Sequence, residues 1–119
     1  MEEIAKNIRD LVINTLSLLS SKEEQLAYQK KVPIADVSAE LFCQWDGAFI
    51  PDSKHNSEAF TSEELQYLIE FNDIFNRISD EVPDELPAIE EFIKTPEWLK
   101  LKNAATQAWI KCQFKTHKD

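Results

Sequence analysis

The sequence predicts an all-α protein, and three observations support this fold class. The chain has 119 residues and a single glycine, Gly47, which is too few for the tight turns of an all-β protein. Apolar residues recur every three or four positions, as on one face of a helix. Ser21 and Thr61 each precede a glutamate by three residues, which is a helix start signal. With 43% hydrophobic residues, we expect one domain over residues 1–119, a bundle of five or six helices.

The first two helices are predicted from periodicity and from a start signal. The first covers about residues 2–19. Its apolar face contains Ile4, Ile8, Leu11, Val12, Thr15 and Leu19. Ser21 and Glu24 have the spacing of a capping box, so a second helix begins there and ends before Pro33.

A third helix is predicted to open at Val32 and Pro33, because proline is tolerated in a first turn. Asp46 and Gly47 are predicted to end this helix, since both favour turns.

Residues 46–60 have no helical periodicity and predict an ordered loop with aromatic anchors. Phe49 and Ile50 are two adjacent apolar residues within this loop. Two interpretations are open for them: they pack against the core, or they face a protein partner as apolar anchors. A loop this apolar favours packing.

Thr61 and Glu64 form the clearest capping box of the chain, which predicts a helix from there to about Ser79. The residues assigned to its apolar face are Leu65, Leu68, Ile69, Asn72, Phe75 and Ile78. We interpret Asn72 as a hydrogen-bonded amide within that face.

Two further helices complete the prediction. Pro83 and Pro87 interrupt the chain before a short helix at about residues 88–93. Thr95 can cap the final helix, and Pro96 suits its first position. The three tryptophans lie on apolar helical faces and are expected in the core; they are Trp45, Trp98 and Trp109.

The net charge of −9 is concentrated in one third of the chain. Residues 58–97 have a local balance of −10, because Arg77 and Lys94 are their only bases. The twelve carboxylates are Glu58, Glu63, Glu64, Glu70, Asp73, Asp80, Glu81, Asp84, Glu85, Glu90, Glu91 and Glu97. Such a region repels phosphates and attracts cationic surfaces, so it argues against nucleic-acid binding and for a basic partner.

Other features indicate the cellular setting. No apolar run is long enough to span a bilayer, and the charged, amphipathic first twenty residues differ from a signal peptide, so we expect a cytoplasmic protein with no membrane partner. Cys43 and Cys112 fit no metal-ligand spacing and are expected to be two buried thiols.

The sequence predicts no catalytic residue and no cofactor. His55 lies in a polar segment and His117 lies within the last three residues, so neither is expected to be placed for catalysis. An alternative hypothesis is a magnesium-dependent nucleotide hydrolase, because helical carboxylate pairs can bind the metal. Its candidate ligands are Asp36, Glu40, Glu70 and Asp73.

Short segments scattered through the chain resemble small, acidic, helical bacterial proteins. These segments are residues 40–46 (Glu-Leu-Phe-Cys-Gln-Trp-Asp), Pro51-Asp52, Phe60-Thr61-Ser62-Glu63-Glu64-Leu65, Phe71-Asn72, Leu86-Pro87 and Pro96-Glu97-Trp98. In size and acidity the chain is similar to immunity proteins, including those of contact-dependent growth inhibition systems. The resemblance implies a protein that blocks a toxin by binding it.

The leading hypothesis is therefore a non-enzymatic binding protein whose acidic region docks on a basic toxin or nuclease domain. A structural or adaptor domain, in which acidity serves solubility, is a further alternative. The residues expected to contact the partner are Glu63, Glu64, Glu70, Asp73, Asp80, Glu81, Asp84 and Glu85, with Phe49 and Ile50 as apolar anchors.

Overall fold

Seven helices and no strand are found in the computed structural model, which describes residues 3–112. The helices are α1 Glu3–Ser20, α2 Lys22–Lys31, α3 Val37–Ala48, α4 Lys54–Ala59, α5 Ser62–Glu81, α6 Ile89–Phe92 and α7 Pro96–Cys112. The all-α prediction is confirmed, but the number of five or six helices is wrong. No helix of residues 3–112 is long and apolar enough to cross a membrane.

Helix α1 lies at the centre of the fold and packs against α2, α3, α4 and α7. Helix α7 also packs along α5. The two run antiparallel, because Lys100 contacts Glu81 at one end while the Cys112 thiol contacts the backbone carbonyl of Glu64 at the other. This arrangement leaves the opposite side of α5 open to solvent.

An aromatic cluster joins α3 to α5 and α6. The Trp45 ring is fully buried and packs edge-on against Phe71, with centroids 4.7 Å apart. Its Nε1–H donates to Oδ1 of Asn72 at 2.9 Å, which confirms Asn72 as a hydrogen-bonded amide. Phe42 packs against Phe75 at 5.3 Å and, more loosely, against α6. Burying these rings is the main apolar contribution on this side of the core.

A buried amide, Gln25, ties α1, α2 and α7 together. Its Nε2 donates to the carbonyls of Leu18 and Leu19 at 3.0 and 3.3 Å, and its Oε1 accepts from Nε1 of Trp98 at 2.8 Å. Trp45 and Trp98 lie in the core as predicted, while Trp109 is half-buried against it.

Helix α3 begins at Val37, so the predicted start at Val32 and Pro33 is wrong. Residues 32–35 instead form a turn, and the Asp36 carboxylate caps the helix by accepting from the backbone N–H of Ala39 at 3.2 Å. Proline at a helix start only removes one N–H group that would lack a partner. The Asp36 side chain instead supplies a hydrogen-bond acceptor to such a group, which favours the later start.

The predicted loop over residues 46–60 is largely helical. Helix α3 continues through Asp46 and Gly47 to Ala48, and α4 adds the seventh helix. The buried amide of Asn56 fixes the short connection by accepting from the Ile50 N–H and donating to the Ala48 carbonyl. A six-residue helix held by one such contact has too few positions to show periodicity.

Assignments on three helices also differ. On α1 the predicted face residues Ile4 and Leu11 are exposed. On α5 the buried positions include Phe71, whereas Ile69 lies at the solvent edge. On α3 the Cys43 thiol is exposed, so the expectation of two buried cysteines is wrong; only Cys112 is buried.

Candidate functional site

The exposed side of α5 carries a row of carboxylates. Glu63 and Glu70 are seven residues apart, as are Asp73 and Asp80, so each pair lies two turns apart on nearly the same side of the helix. Glu81 lies one turn beyond Arg77 on this side, and all these side chains are exposed. The row begins at a capping box, in which Thr61 and Glu64 exchange hydrogen bonds, so its N-terminal end is firmly positioned.

The row continues into the segment that connects α5 to α6. Asp84 and Glu85 are exposed there, and residues 80–91 contain six carboxylates and no base. The segment is irregular but anchored, because the Ser38 hydroxyl donates to the Pro87 carbonyl at 2.7 Å and Ile89 is fully buried. We call the exposed carboxylates Glu63, Glu70, Asp73, Asp80, Glu81, Asp84 and Glu85 the acidic face.

Few cations neutralise the acidic face. Within residues 3–112, Glu81 is its one member in an ion pair, with Lys100 at 3.3 Å. Arg77 lies within the face but approaches no carboxylate of the described residues within 4.0 Å. The remaining charges point into water, where they are screened by salt but add to a common negative field.

Glu64 does not belong to this face, although the sequence analysis placed it among the partner contacts. Its carboxylate accepts two hydrogen bonds from the Arg9 guanidinium, at 2.8 and 2.9 Å, and only 15% of the side chain is exposed. These bonds to Arg9 hold the pKa of the Glu64 carboxyl below its usual range. Its charge therefore joins α1 to α5 and is not available to a partner.

The surroundings of this ion pair explain its position. Arg9 also donates to the Ala59 carbonyl at 3.1 Å and lies over the Phe60 ring, so it fixes the end of α4 as well. Nearby, burial raises the pKa of the Cys112 thiol to about 11, so this cysteine is a neutral packing residue at neutral pH.

The two proposed apolar anchors have different environments. Phe49 is only 2% exposed and stacks on Trp45 with centroids 5.3 Å apart, so the packing interpretation is confirmed for this residue. Ile50 is 53% exposed and remains accessible to a partner.

The candidate metal ligands of the alternative hypothesis are not brought together. The Asp36 carboxylate caps α3, and the Glu40 carboxylate accepts from the Tyr28 hydroxyl and the Gln44 amide. Glu70 and Asp73 face solvent from another helix. No group of three or more His, Cys, Asp or Glu side chains in residues 3–112 is placed to hold a metal ion. His55 is exposed, and His117 lies outside the described residues.

One surface feature was missed by sequence reasoning. Val32 and Pro33 are predicted to start a helix, but together with Ile34 they form an exposed apolar turn beside a cleft of about 690 Å³. The charged residues that line this cleft are Lys30, Asp36 and Glu90. An apolar run between Lys31 and Asp36, centred on proline, was the available signal, since such a run is as typical of a turn as of a first helical turn.

No protein-family model, curated protein or solved structure matches this chain. Its function is therefore inferred from the surface itself.

Proposed function

We propose that this protein is a non-enzymatic binding protein of the immunity type, which neutralises a basic bacterial toxin or nuclease domain in the cytoplasm. The observation that carries the proposal is the acidic face, an ordered and exposed row of carboxylates on α5 and the segment after it. Six of its seven members have no ion pair within residues 3–112.

A nuclease is the kind of toxin that this surface fits best. An enzyme that binds nucleic acid needs positive charge where it contacts phosphates. A row of carboxylates on one helix presents negative charge as a phosphate backbone does, so it is steered to that surface and blocks it.

The solubility alternative explains a net negative charge but not its distribution. Charge that serves only solubility is effective when spread over the whole surface. Clustered like charges repel one another and lower the stability of the fold. A cluster retained on one side therefore favours a partner of opposite charge.

The test is a growth rescue followed by binding kinetics. Toxin domains encoded beside the gene are expressed in a bacterial host, with and without this protein. For a toxin from which the protein rescues growth, we expect the triple variant Glu70→Lys, Asp73→Lys and Asp80→Lys to associate with that toxin about tenfold or more slowly at 50 mM salt. Stopped-flow mixing of the purified proteins measures this rate constant.

A matched control carries the same change in net charge elsewhere. It combines Glu3→Lys, Asp10→Lys and Asp46→Lys, which alter exposed carboxylates outside the acidic face. We expect it to change association less than about threefold, since its charges lie away from the contact. Equal association rate constants for the two variants would contradict the role of the acidic face. Failure to rescue growth from any of the toxins would contradict the immunity function.

A further inference from the structure

The turn between α2 and α3 presents an isoleucine to solvent in a fixed position. Ile34 is 96% exposed, more than any other large apolar residue of the described chain. The turn is held from beneath by Gln29, whose Nε2 lies 2.7 Å from the Ala35 carbonyl and 3.3 Å from those of Val32 and Pro33. The Ala35 N–H also donates to the Val32 carbonyl at 3.0 Å. These contacts keep Ile34 from folding back onto the protein.

A cleft lies directly beside this turn. Its volume is about 690 Å³, and it runs between α2, the turn and the segment that precedes α6. Its apolar lining consists of Leu26, Pro33, Ala35, Leu86 and Ala88. An exposed apolar side chain next to a cleft with both apolar and charged lining is an arrangement that interlocking protein surfaces use.

The charges around the cleft indicate what kind of partner it fits. Asp36 and Glu90 line it, and Asp84 and Glu85 directly precede its lining residue Leu86. Lys30 is the one cation among the lining residues, on the α2 side. Exposed Lys31 follows Lys30, so four carboxylates and two lysines surround the cleft. The rim is therefore net negative, most strongly where it continues the acidic face.

We propose that the Val32–Ala35 turn and its cleft are the apolar centre of the partner-binding surface, docking a basic protein that inserts an apolar side chain. This inference rests on the proposed function, since it names the contact that would give the acidic face its affinity. Charge steers association, whereas buried apolar groups at the centre of an interface determine how slowly the complex dissociates. The turn and the acidic face together supply both.

A second copy of the chain fits this surface less well. A two-fold dimer brings the same surface patch of each subunit together. The carboxylates around the cleft, Asp36, Asp84, Glu85 and Glu90, would then meet only Lys30 and Lys31 of the other copy, so the dimer interface would keep an unfavourable net negative charge.

The first experiment places a photo-crosslinking amino acid, p-benzoyl-phenylalanine, at position 34 of the full chain in its native cells. Position 110 serves as the control, because Ile110 on α7 is also exposed, at 58%. We expect a cross-link to a basic protein from position 34 and none to that protein from position 110. Mass spectrometry identifies the adduct. A cross-link to an acidic protein, to a second copy, or equally from both positions would overturn the inference.

The second experiment measures affinity for the cross-linked protein after purification. Ile34→Ser removes the projecting side chain without touching the core, and Ala88→Gln fills the cleft from an exposed position. We expect each substitution to raise the dissociation constant about tenfold, and Ile110→Ser to change it less than about twofold. Equal affinities for all four proteins would overturn the inference.

The two proposals fail in different ways. If the protein rescues growth from a toxin but the Ile34→Ser variant binds that toxin normally, the immunity function stands and the turn is not the apolar centre. If the protein rescues growth from no toxin but position 34 cross-links a basic protein whose binding needs Ile34, the proposed binding surface stands and the immunity function is wrong.

Discussion

At the scale of single residues, the position of a carboxylate decides its role. Glu63 and Glu64 are neighbours in sequence, yet Glu63 is exposed on the acidic face while Glu64 is held by Arg9 and the backbone N–H of Thr61. Only the second is shielded enough from water for its charge to stabilise the fold. The ion pair is therefore a structural element and the neighbour a candidate contact.

This difference predicts a pH-dependent effect of Glu64→Gln. The pKa of Glu64 is lowered in the folded state by its hydrogen bonds with Arg9, so the pair stabilises the protein above the ordinary carboxyl pKa, and this stability is lost as pH falls through the folded pKa. We expect Glu64→Gln to lower the free energy of unfolding by about 1–2 kcal/mol at pH 7, with the loss shrinking below about pH 4. Urea unfolding of both proteins at pH 7 and pH 3 measures this loss of stability.

The control is Glu63→Gln, which changes the same group one residue away. Its carboxylate has one long contact, 3.5 Å from the Tyr67 hydroxyl, so we expect a change below about 0.5 kcal/mol at either pH. A loss for Glu64→Gln that is the same at pH 7 and pH 3 would show that the charge of Glu64 does not stabilise the fold.

At the scale of secondary-structure elements, helix starts with a local side-chain cap were predictable. Ser21, Thr61 and Thr95 each accept a hydrogen bond from the backbone N–H three residues later, as their spacing indicates. Helix α3 also has a local cap at Asp36, but the competing start at Val32 and Pro33 was predicted instead, and α4 was not predicted. The start of α3 depends on a turn organised by Gln29, and α4 depends on a buried contact of Asn56.

Capping predicts different costs for two similar substitutions. Thr61→Ala removes the side chain that caps α5, so we expect it to lower the free energy of unfolding by about 1 kcal/mol. Ser53 precedes α4 but makes no side-chain cap, so Ser53→Ala should cost less than about 0.3 kcal/mol. Thermal and urea unfolding of both variants provide the comparison. Equal costs would mean that the Thr61 hydrogen bonds do not stabilise α5.

At the scale of the whole molecule, the acidic face is expected to oppose folding. Helix α5 ends with Asp80 and Glu81 and has no base in its last turn, although the C-terminal end of a helix already carries partial negative charge. Asp84 and Glu85 follow at once. Natural helices gain stability from the reverse arrangement, so this helix end is expected to cost stability, and the proposed basic partner would offset that cost.

Neutralising this end should stabilise the protein. We expect the triple variant Asp80→Asn, Asp84→Asn and Glu85→Gln to raise the free energy of unfolding by about 0.5–1 kcal/mol at 20 mM salt, because it removes repulsion among like charges and from the helix end. The gain should largely vanish at 0.5 M salt, where such charges are screened. Urea unfolding at the two salt concentrations measures both effects.

The matched substitution has the opposite sign. Glu23 lies in the first turn of α2, where negative charge is favourable, so Glu23→Gln should lower the free energy of unfolding by about 0.3 kcal/mol at low salt. A triple variant that is less stable than the wild type at low salt would show that the acidic face is not under electrostatic strain.

The amino-acid sequence by itself determined the all-α class, the long helices and the regional excess of acid, because periodicity, capping and charge are local properties of the chain. Only the tertiary structure decided which carboxylates are free. It directed Glu64 inward to Arg9, from 55 residues away, and turned the residues after α2 into a turn that exposes Ile34. The first outcome depends on a contact between distant segments, which no local pattern encodes. The second depends on hydrogen bonds from Gln29 to residues three to six positions later, which helical periodicity does not indicate.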